Sequence, residues 1–228
     1  MILRLLPLFA LLMALVPNLG LAQVKSKTEL KSSSAVRVLK EIGKKYRNTN
    51  LVKIETNKKV TSELMGKTTE YKGTIYLSKG KFRWENDTPE QSLLMFDGKT
   101  IWNVQYPPKD LGGPVQVARA KLDKNTKSQI LISTLIGKEP IDKNFEVLSE
   151  KTEQAVVVIE LKPLSSDLRV KQLTLELEPT SKWILKISYK DDVDNLTVIE
   201  MKKTEFIKKE NKSLFKYEIP KDAQVTNL

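Results

Sequence analysis

The segment SLLMFDGKTIWNV, residues 92–104, decides the fold of this chain. Asp97-Gly98 separates two runs of strand-forming residues, a pattern typical of a β-hairpin with a type I′ turn, which requires positive φ at both central positions. A two-residue turn would pair Leu94 with Ile101 and Leu93 with Trp102. One face then carries Leu94, Phe96 and Ile101, and the other carries Leu93, Met95, Trp102 and Val104. Both faces are apolar, whereas an antiparallel sheet usually keeps one polar face, so the sequence predicts a cover on each side.

Strand-like alternation continues on both sides of this hairpin. KIETNKKVTSELMG, EYKGTIYLSKG and KFRWEND precede it, and NFEVLSE, QAVVVIELK, VKQLTLELE, WILKISYKDD, LTVIEMKKTEFI and LFKYEI follow it. In VKQLTLELE the leucines alternate with Thr and Glu, as expected for a strand with one buried face. The pattern indicates about eleven antiparallel strands in one domain.

Two helices are expected beside these strands. Ser32-Ser33-Ser34 is a candidate N-cap for an amphipathic helix that ends near Tyr46, and residues 127–137 (KSQILISTLIG) indicate a second helix that ends at Gly137. They are the elements left to cover the surplus apolar and aromatic side chains of residues 71–104. Such a curved, capped sheet either packs into a solid core or encloses an apolar cavity.

The first 22 residues have the features of a secretory signal peptide. Arg4 precedes an apolar stretch, and small residues end at Ala22, after which we expect cleavage. A retained membrane anchor is disfavoured because Pro7 and Pro17 bracket a run shorter than the roughly 20 residues that a spanning helix needs. We therefore expect a periplasmic mature protein with a single domain, residues 23–228.

Composition excludes several kinds of function. The chain has no Cys and no His, so it lacks thiolate and imidazole metal ligands and the usual general base. Gly66-Lys67-Thr68 and Gly98-Lys99-Thr100 lack the upstream glycine of a phosphate-binding loop. We therefore predict no enzyme activity, catalytic residue, metal or cofactor. The formal net charge of +11 is scattered along the chain, which favours an anionic lipid or acidic partner over nucleic acid.

The segment GTIYLSKGKFRWENDTPEQSLLMFDGKTIWNV, residues 73–104, resembles the LolA family of periplasmic lipoprotein carriers. The matching positions are Gly73, Lys79, Phe82, Arg83, Trp84, Pro89, Ser92, Asp97, Gly98, Lys99, Thr100 and Trp102. The resemblance implies a mainly β (α+β) fold, an incomplete antiparallel β-barrel with a helical lid over an apolar cavity. It also implies that the protein receives acylated lipoproteins from an inner-membrane transporter and delivers them to an outer-membrane acceptor similar to LolB.

This resemblance assigns candidate site residues. The candidates for binding acyl chains in the cavity are Tyr76, Phe82, Trp84, Leu94, Met95, Phe96, Ile101 and Trp102, although the two hairpin faces cannot both point inward. The lid candidates are Leu39, Ile42, Leu131, Ile132 and Leu135. Where the family typically has Arg-Pro, this chain has Lys79-Gly80, so the basic residue that closes the lid is expected to be Lys79 or Arg83.

Other assignments remain open at this stage. The absence of an N-terminal Cys to acylate favours the soluble carrier over lipoprotein relatives such as LolB, and a carrier with one cavity mouth is expected to be a monomer. An envelope-stress sensor of the same fold is one alternative. A carrier of another lipid, such as a glycolipid or a phospholipid, is a second.

Overall fold

The computed structural model describes residues 27–121, 141–165, 168–181, 183–209 and 211–227. These contain one α-helix, α1 (Lys27–Asn48), and twelve strands. The strands are β1 (Leu51–Thr61), β2 (Thr68–Ser78), β3 (Lys81–Thr88), β4 (Ser92–Phe96), β5 (Thr100–Gln105), β6 (Gln116–Lys121), β7 (Phe145–Glu153), β8 (Val156–Pro163), β9 (Val170–Leu177), β10 (Ile184–Asp191), β11 (Leu196–Ile207) and β12 (Gln224–Asn227).

All twelve strands belong to one sheet, in the order β12-β6-β5-β4-β3-β2-β1-β11-β10-β9-β8-β7. Strands β1 to β6 and strands β7 to β11 form two antiparallel meanders, which are joined by the pairing of β1 with β11. Strands β12 and β7 end the sheet without pairing with each other, so the barrel is incomplete, as predicted. Nearly all the strand pairs are antiparallel, and the exception is β12, which pairs with β6 in parallel.

The C-terminal segment differs from the prediction. LFKYEI does not form a strand, since a 3₁₀ helix spans Lys212–Phe215 and the last strand lies further on, at β12. Strand β12 was missed because its four residues, QVTN, are all exposed and show no alternation of polar and apolar side chains.

The β4–β5 hairpin exists, but its predicted register is wrong. Phe96 pairs with Ile101 and Met95 with Trp102, so the turn is centred on Gly98-Lys99 and not on Asp97-Gly98, and the Asp97 N–H donates to the Thr100 carbonyl oxygen (3.2 Å). The Asp97 carboxylate stabilises this turn by accepting hydrogen bonds from the backbone N–H of Lys99 (2.8 Å) and of Thr100 (2.8 Å) and from the indole Nε1 of Trp102 (3.0 Å). The predicted faces survive because a shift of two residues keeps every side chain on its side of the sheet.

These hydrogen bonds also affect the ionisation of Asp97. Burial alone would raise the pKa of its carboxyl, but the bonds from Thr100, Trp102 and Lys99 outweigh burial and hold the pKa below its usual value. Positive φ at two successive residues, the feature of a type I′ turn, occurs instead at Lys79-Gly80 between β2 and β3 (44° and 77°) and at Gln154-Ala155 between β7 and β8 (46° and 63°).

Helix α1 covers one face of the sheet, called here the inner face. It starts before the expected N-cap, so the three serines lie within it. Its buried side chains, Ala35, Leu39, Ile42 and Tyr46, recur every three or four residues and join the main apolar core. The second predicted helix, residues 127–137 with Leu131, Ile132 and Leu135, lies outside the described residues. Within the described ranges, no helix is long and apolar enough to span a membrane.

Two separate apolar clusters explain the two apolar faces of the hairpin. Phe96 and Ile101 belong to the inner core beneath α1. On the opposite, outer face lies a second cluster, built from Leu93, Met95, Val104 and Val117 and packed against Trp102, Tyr106, Val115, Tyr217 and Ala223. The second cover therefore comes from the C-terminal segment, whose Tyr217 ring lies 5.5 Å from the Trp102 ring.

Gly73 is required by the close approach of β2 and β3. The pairing of these strands shifts register between Lys72 and Gly73, and a Cβ atom at Gly73 would lie 2.1 Å from the carbonyl oxygen of Glu85. The Gly73 carbonyl also accepts a hydrogen bond from the buried Thr56 hydroxyl, which restricts movement of β2.

We expect Gly73→Ala to lower the free energy of unfolding by about 2–3 kcal/mol, because backbone must move to admit the methyl group. Urea unfolding followed by circular dichroism measures this change. Gly66→Ala is the control, since Gly66 has positive φ (60°) but open space around it, and the expected cost is about 1 kcal/mol. Equal costs for the two variants would contradict the steric role of Gly73.

Candidate functional site

An apolar cavity lies between α1 and the inner face of the sheet. It has a volume of about 70 Å³. Its lining comes from α1, β1, β2, β3, β10 and β11 and consists of Tyr46, Ile54, Ile75, Leu77, Phe82, Trp84, Ile184, Ile187, Ile199 and Met201. Pockets for small molecules usually measure about 300 Å³ or more, so this cavity must enlarge before it can hold a long ligand.

Strand pairing places the lining side chains next to one another. Ile75 pairs with Ile54 on one side and with Trp84 on the other, so three neighbouring strands contribute adjacent apolar groups. In the other meander, beyond the β1–β11 junction, Ile187 of β10 pairs with Ile199 of β11. The lining therefore spans both meanders.

The C-terminal end of α1 is attached to the sheet through an aromatic latch, formed by Tyr46, Trp183 and Phe206. The Tyr46 ring meets the Trp183 ring edge-on at 5.4 Å, and Trp183 stacks on Phe206 at 4.2 Å. Lys45 adds a cation–π contact, with its Nζ 3.4 Å from the Trp183 ring centroid, and donates a hydrogen bond to the carbonyl oxygen of Ser181 (3.1 Å). Burial raises the pKa of the Tyr46 hydroxyl, so this side chain stays neutral at the edge of the cavity.

A cation stands beside the cavity on the inner face. Lys58 of β1 pairs with Ile199, which lines the cavity, and with Tyr71 of β2. Its Nζ lies 4.2 Å from the Tyr71 ring centroid and 5.1 Å from that of Trp84. Desolvation by burial lowers the pKa of Lys58.

Two further polar groups are buried on β3, which contributes Trp84 to the lining. The indole Nε1 of Trp84 and the side-chain Oδ1 of Asn86 have no hydrogen-bond partner in the described part of the chain. The Asn86 amide nitrogen does donate to the Ser92 hydroxyl (2.9 Å). The wall of the cavity at β3 is therefore not purely apolar.

The structure places the predicted cavity residues on two different faces. Phe82 and Trp84 line the cavity, and Leu94, Phe96 and Ile101 lie in the inner core beside it. Tyr76, Met95 and Trp102 do not point into the cavity. Met95 and Trp102 belong to the outer cluster, and Tyr76 alternates with the inward Ile75 and Leu77. Their predicted place in the cavity is wrong, because side chains of successive strand residues point to opposite faces. The lid candidates Leu39 and Ile42 do pack on the inner core.

Arg83 also lies on the outer face, which corrects its predicted contact with the lid. Its guanidinium donates to the Glu85 carboxylate (2.7 Å) and to the carbonyl oxygen of Leu214 (3.0 Å) in the C-terminal 3₁₀ helix. Arg83 therefore holds the C-terminal segment and not α1. Lys79 is exposed in the turn between β2 and β3, and its role in closing the lid stays a prediction.

Of the ten residues that line the cavity, sequence reasoning identified only Phe82 and Trp84. Ile184, Ile187, Ile199 and Met201 come from β10 and β11, whose alternation marked inward positions but not which strands they would face. Trp183 and Lys58 gave no signal of their own, because their contacts depend on pairing between distant strands. Among the residues that the structure describes, no group of three or more acidic side chains is placed to hold a metal ion.

Comparison with known proteins identifies a family. Residues 47–218 match the model of the family described as outer membrane lipoprotein carrier protein LolA. The outer-membrane lipoprotein carrier protein of Cupriavidus pinatubonensis is 26% identical over 151 residues, which are 66% of this chain and 67% of that protein. The protein of the same name from Azotobacter vinelandii is 38% identical over 98 residues, 42% of this chain and 43% of that protein. An uncharacterized conserved protein from Thermus thermophilus shares the fold, with a TM-score of 0.52 and 15% identity over 86% of this chain and 99% of that chain.

The aromatic latch yields a testable expectation. Trp183→Leu removes the ring contacts with Tyr46 and Lys45, each worth about 1 kcal/mol, so amide hydrogen exchange in residues 40–48 should accelerate by up to about thirtyfold. Mass spectrometry of exchanged peptides measures this. Trp102→Leu removes a comparable ring from the outer cluster and should leave exchange in α1 unchanged. Similar exchange of α1 in both variants would contradict the latch.

Proposed function

Because the chain belongs to the LolA family of outer-membrane lipoprotein carrier proteins, we propose that it is a periplasmic carrier that shelters the acyl chains of lipoproteins in the cavity beneath α1. The observation that carries this proposal is the apolar cavity, to which α1 contributes Tyr46 and which is lined almost entirely by aliphatic and aromatic side chains. The donor is an inner-membrane lipoprotein transporter and the recipient is an outer-membrane acceptor similar to LolB.

The energetics of the cargo require such a cavity. Each methylene moved from water into an apolar site gains about 0.8 kcal/mol. Three long acyl chains, with on the order of forty methylenes, would cost roughly 30 kcal/mol if exposed to water. A carrier must therefore enclose the chains throughout the transfer between membranes.

Loading requires α1 to move. A volume of about 70 Å³ is too small for one long acyl chain, so the cavity of the unloaded protein is closed by its own side chains. Closure also has a benefit, since an empty apolar hollow open to water would promote aggregation. Because α1 packs on the sheet through side chains and is not a strand within it, the helix can lift without breaking backbone pairing in the sheet.

The mature carrier in this proposal consists of residues 23–228, released by cleavage after Ala22, and acts as a monomer. The cargo is bound and released without covalent chemistry, in agreement with a chain that has no His or Cys. Specificity then depends on cavity shape, on the few polar groups along its wall and on the surfaces that meet the donor and the acceptor.

Release of a lipoprotein from the inner membrane tests the proposal. Purified mature protein added to spheroplasts should move newly made, acylated lipoprotein into the supernatant, and mass spectrometry should find the acylated cargo bound to it. Phe82→Glu and Met201→Glu each place a carboxylate in the cavity lining, so we expect at least about a tenfold loss of release.

Val193→Glu is the matched control, because it makes the same charge change at an exposed position and should release lipoprotein like the wild type. Met201 is only partly buried, so its variant is expected to fold even if Phe82→Glu does not. The proposal fails if the wild type leaves the cargo in the membrane, or if Met201→Glu is folded and fully active.

A further inference from the structure

We propose that Lys58 and Trp84 form a polar subsite at the wall of the cavity, which binds the oxygen atoms at the head of an acyl chain while the chain itself occupies the cavity. The proposal rests on the function proposed above and adds a ligand group and two residues to it. The chemical class recognised is a hydrogen-bond acceptor attached to a long acyl chain, either an ester or amide carbonyl or a free carboxylate.

The position of Lys58 supports this assignment. Its strand neighbour Ile199 lines the cavity, and its Nζ lies over the ring of Trp84, which also lines the cavity. The ammonium group therefore lies beside two residues that line the cavity, Ile199 and Trp84. An acyl chain that entered beside Trp84 would bring its head group to this cation.

Lys58 also differs from its neighbours in lacking an anionic partner. Lys59 forms a salt bridge with Glu70 (2.8 Å), and Lys53 reaches Glu55 (3.7 Å). Within the described part of the chain, no carboxylate lies within 4.0 Å of the Lys58 ammonium, whose neighbours are the rings of Tyr71 and Trp84. A cation that is partly withdrawn from water and faces only rings has unused hydrogen-bond donors.

Trp84 supplies a second donor of the same kind. Its buried Nε1–H has no acceptor among the described residues, and leaving such a group unsatisfied costs free energy. Two unused donors on an otherwise apolar wall fit a ligand that carries only acceptors at its head. They disfavour ligands with a cationic head group, because Lys58 would repel it.

The test compares three ligands on the purified mature protein. These are a synthetic triacylated lipopeptide, palmitate, and diphenylhexatriene, a hydrocarbon that has no oxygen atom. Lys58→Met keeps most of the apolar length of the side chain and removes the charge, and we expect it to weaken lipopeptide and palmitate binding about tenfold, as expected for a lost hydrogen bond to a charged group. Binding of diphenylhexatriene should stay within about twofold of the wild type.

Two further variants complete the design. Lys59→Met is the control, since it removes the adjacent lysine on the outer side of β1, and all three affinities should match the wild type. Trp84→Phe keeps an aromatic ring but deletes the N–H donor, and we expect about a threefold loss for the oxygen-bearing ligands.

The outcomes separate this inference from the proposed function. Weaker binding of both oxygen-bearing ligands by Lys58→Met supports a carbonyl subsite, and weaker binding of palmitate alone supports a subsite for free carboxylates. If the wild type binds lipopeptide and palmitate and Lys58→Met binds both equally well, the subsite is wrong while the carrier function stands. An equal loss of all three ligands would overturn the subsite by assigning Lys58 to the shape of the cavity. If the wild type binds neither acylated ligand, both proposals fall.

Discussion

The central constraint on this structure is that the apolar inner face of an open sheet must be covered by an element that is not itself a strand of the sheet. The sheet ends at β12 and β7 without closing, so its own strands do not seal the interior. Helix α1 packs on the inner face through Leu39, Ile42 and Tyr46, and the aromatic latch attaches its C-terminal end. A helix packed through side chains can be displaced while the strand pairing remains intact, whereas a strand of the sheet cannot.

The outer cluster allows the sheet to keep an inner cavity and remain well packed. Strands β3 to β6 are buried on their outer face by the C-terminal segment, and Arg83 ties that segment to β3. The hairpin therefore keeps a core of its own that does not involve α1. In the proposed loading step, displacement of α1 would therefore leave intact the half of the sheet that contains Phe82 and Trp84.

Much of the fold could be predicted from local pattern, because alternation identifies strands and their two faces without knowledge of their partners. The pair Asp97-Gly98 correctly marked a hairpin, yet the hydrogen bonds that Asp97 accepts from Lys99, Thr100 and Trp102 stabilise a turn centred on Gly98-Lys99 and so a different register. The site was harder to predict. Which hairpin face points inward depends on the C-terminal cover, and the contributions of Ile187, Ile199 and Lys58 depend on the distant pairing of β1 with β11. Neither the C-terminal cover nor the pairing of β1 with β11 can be recognised from the sequence of the strands themselves.

The pairing of β1 with β11 also sets the order in which the protein can fold. Leu51 pairs with Ile207, and β6 receives its last partner only from residues 224–227. Each meander can assemble from local contacts, but the seam between them has a very high contact order and cannot form until almost the entire polypeptide has been synthesised. The cavity crosses that seam, so a nascent chain lacks the complete cavity. The cavity is therefore formed late in folding, after both halves are complete.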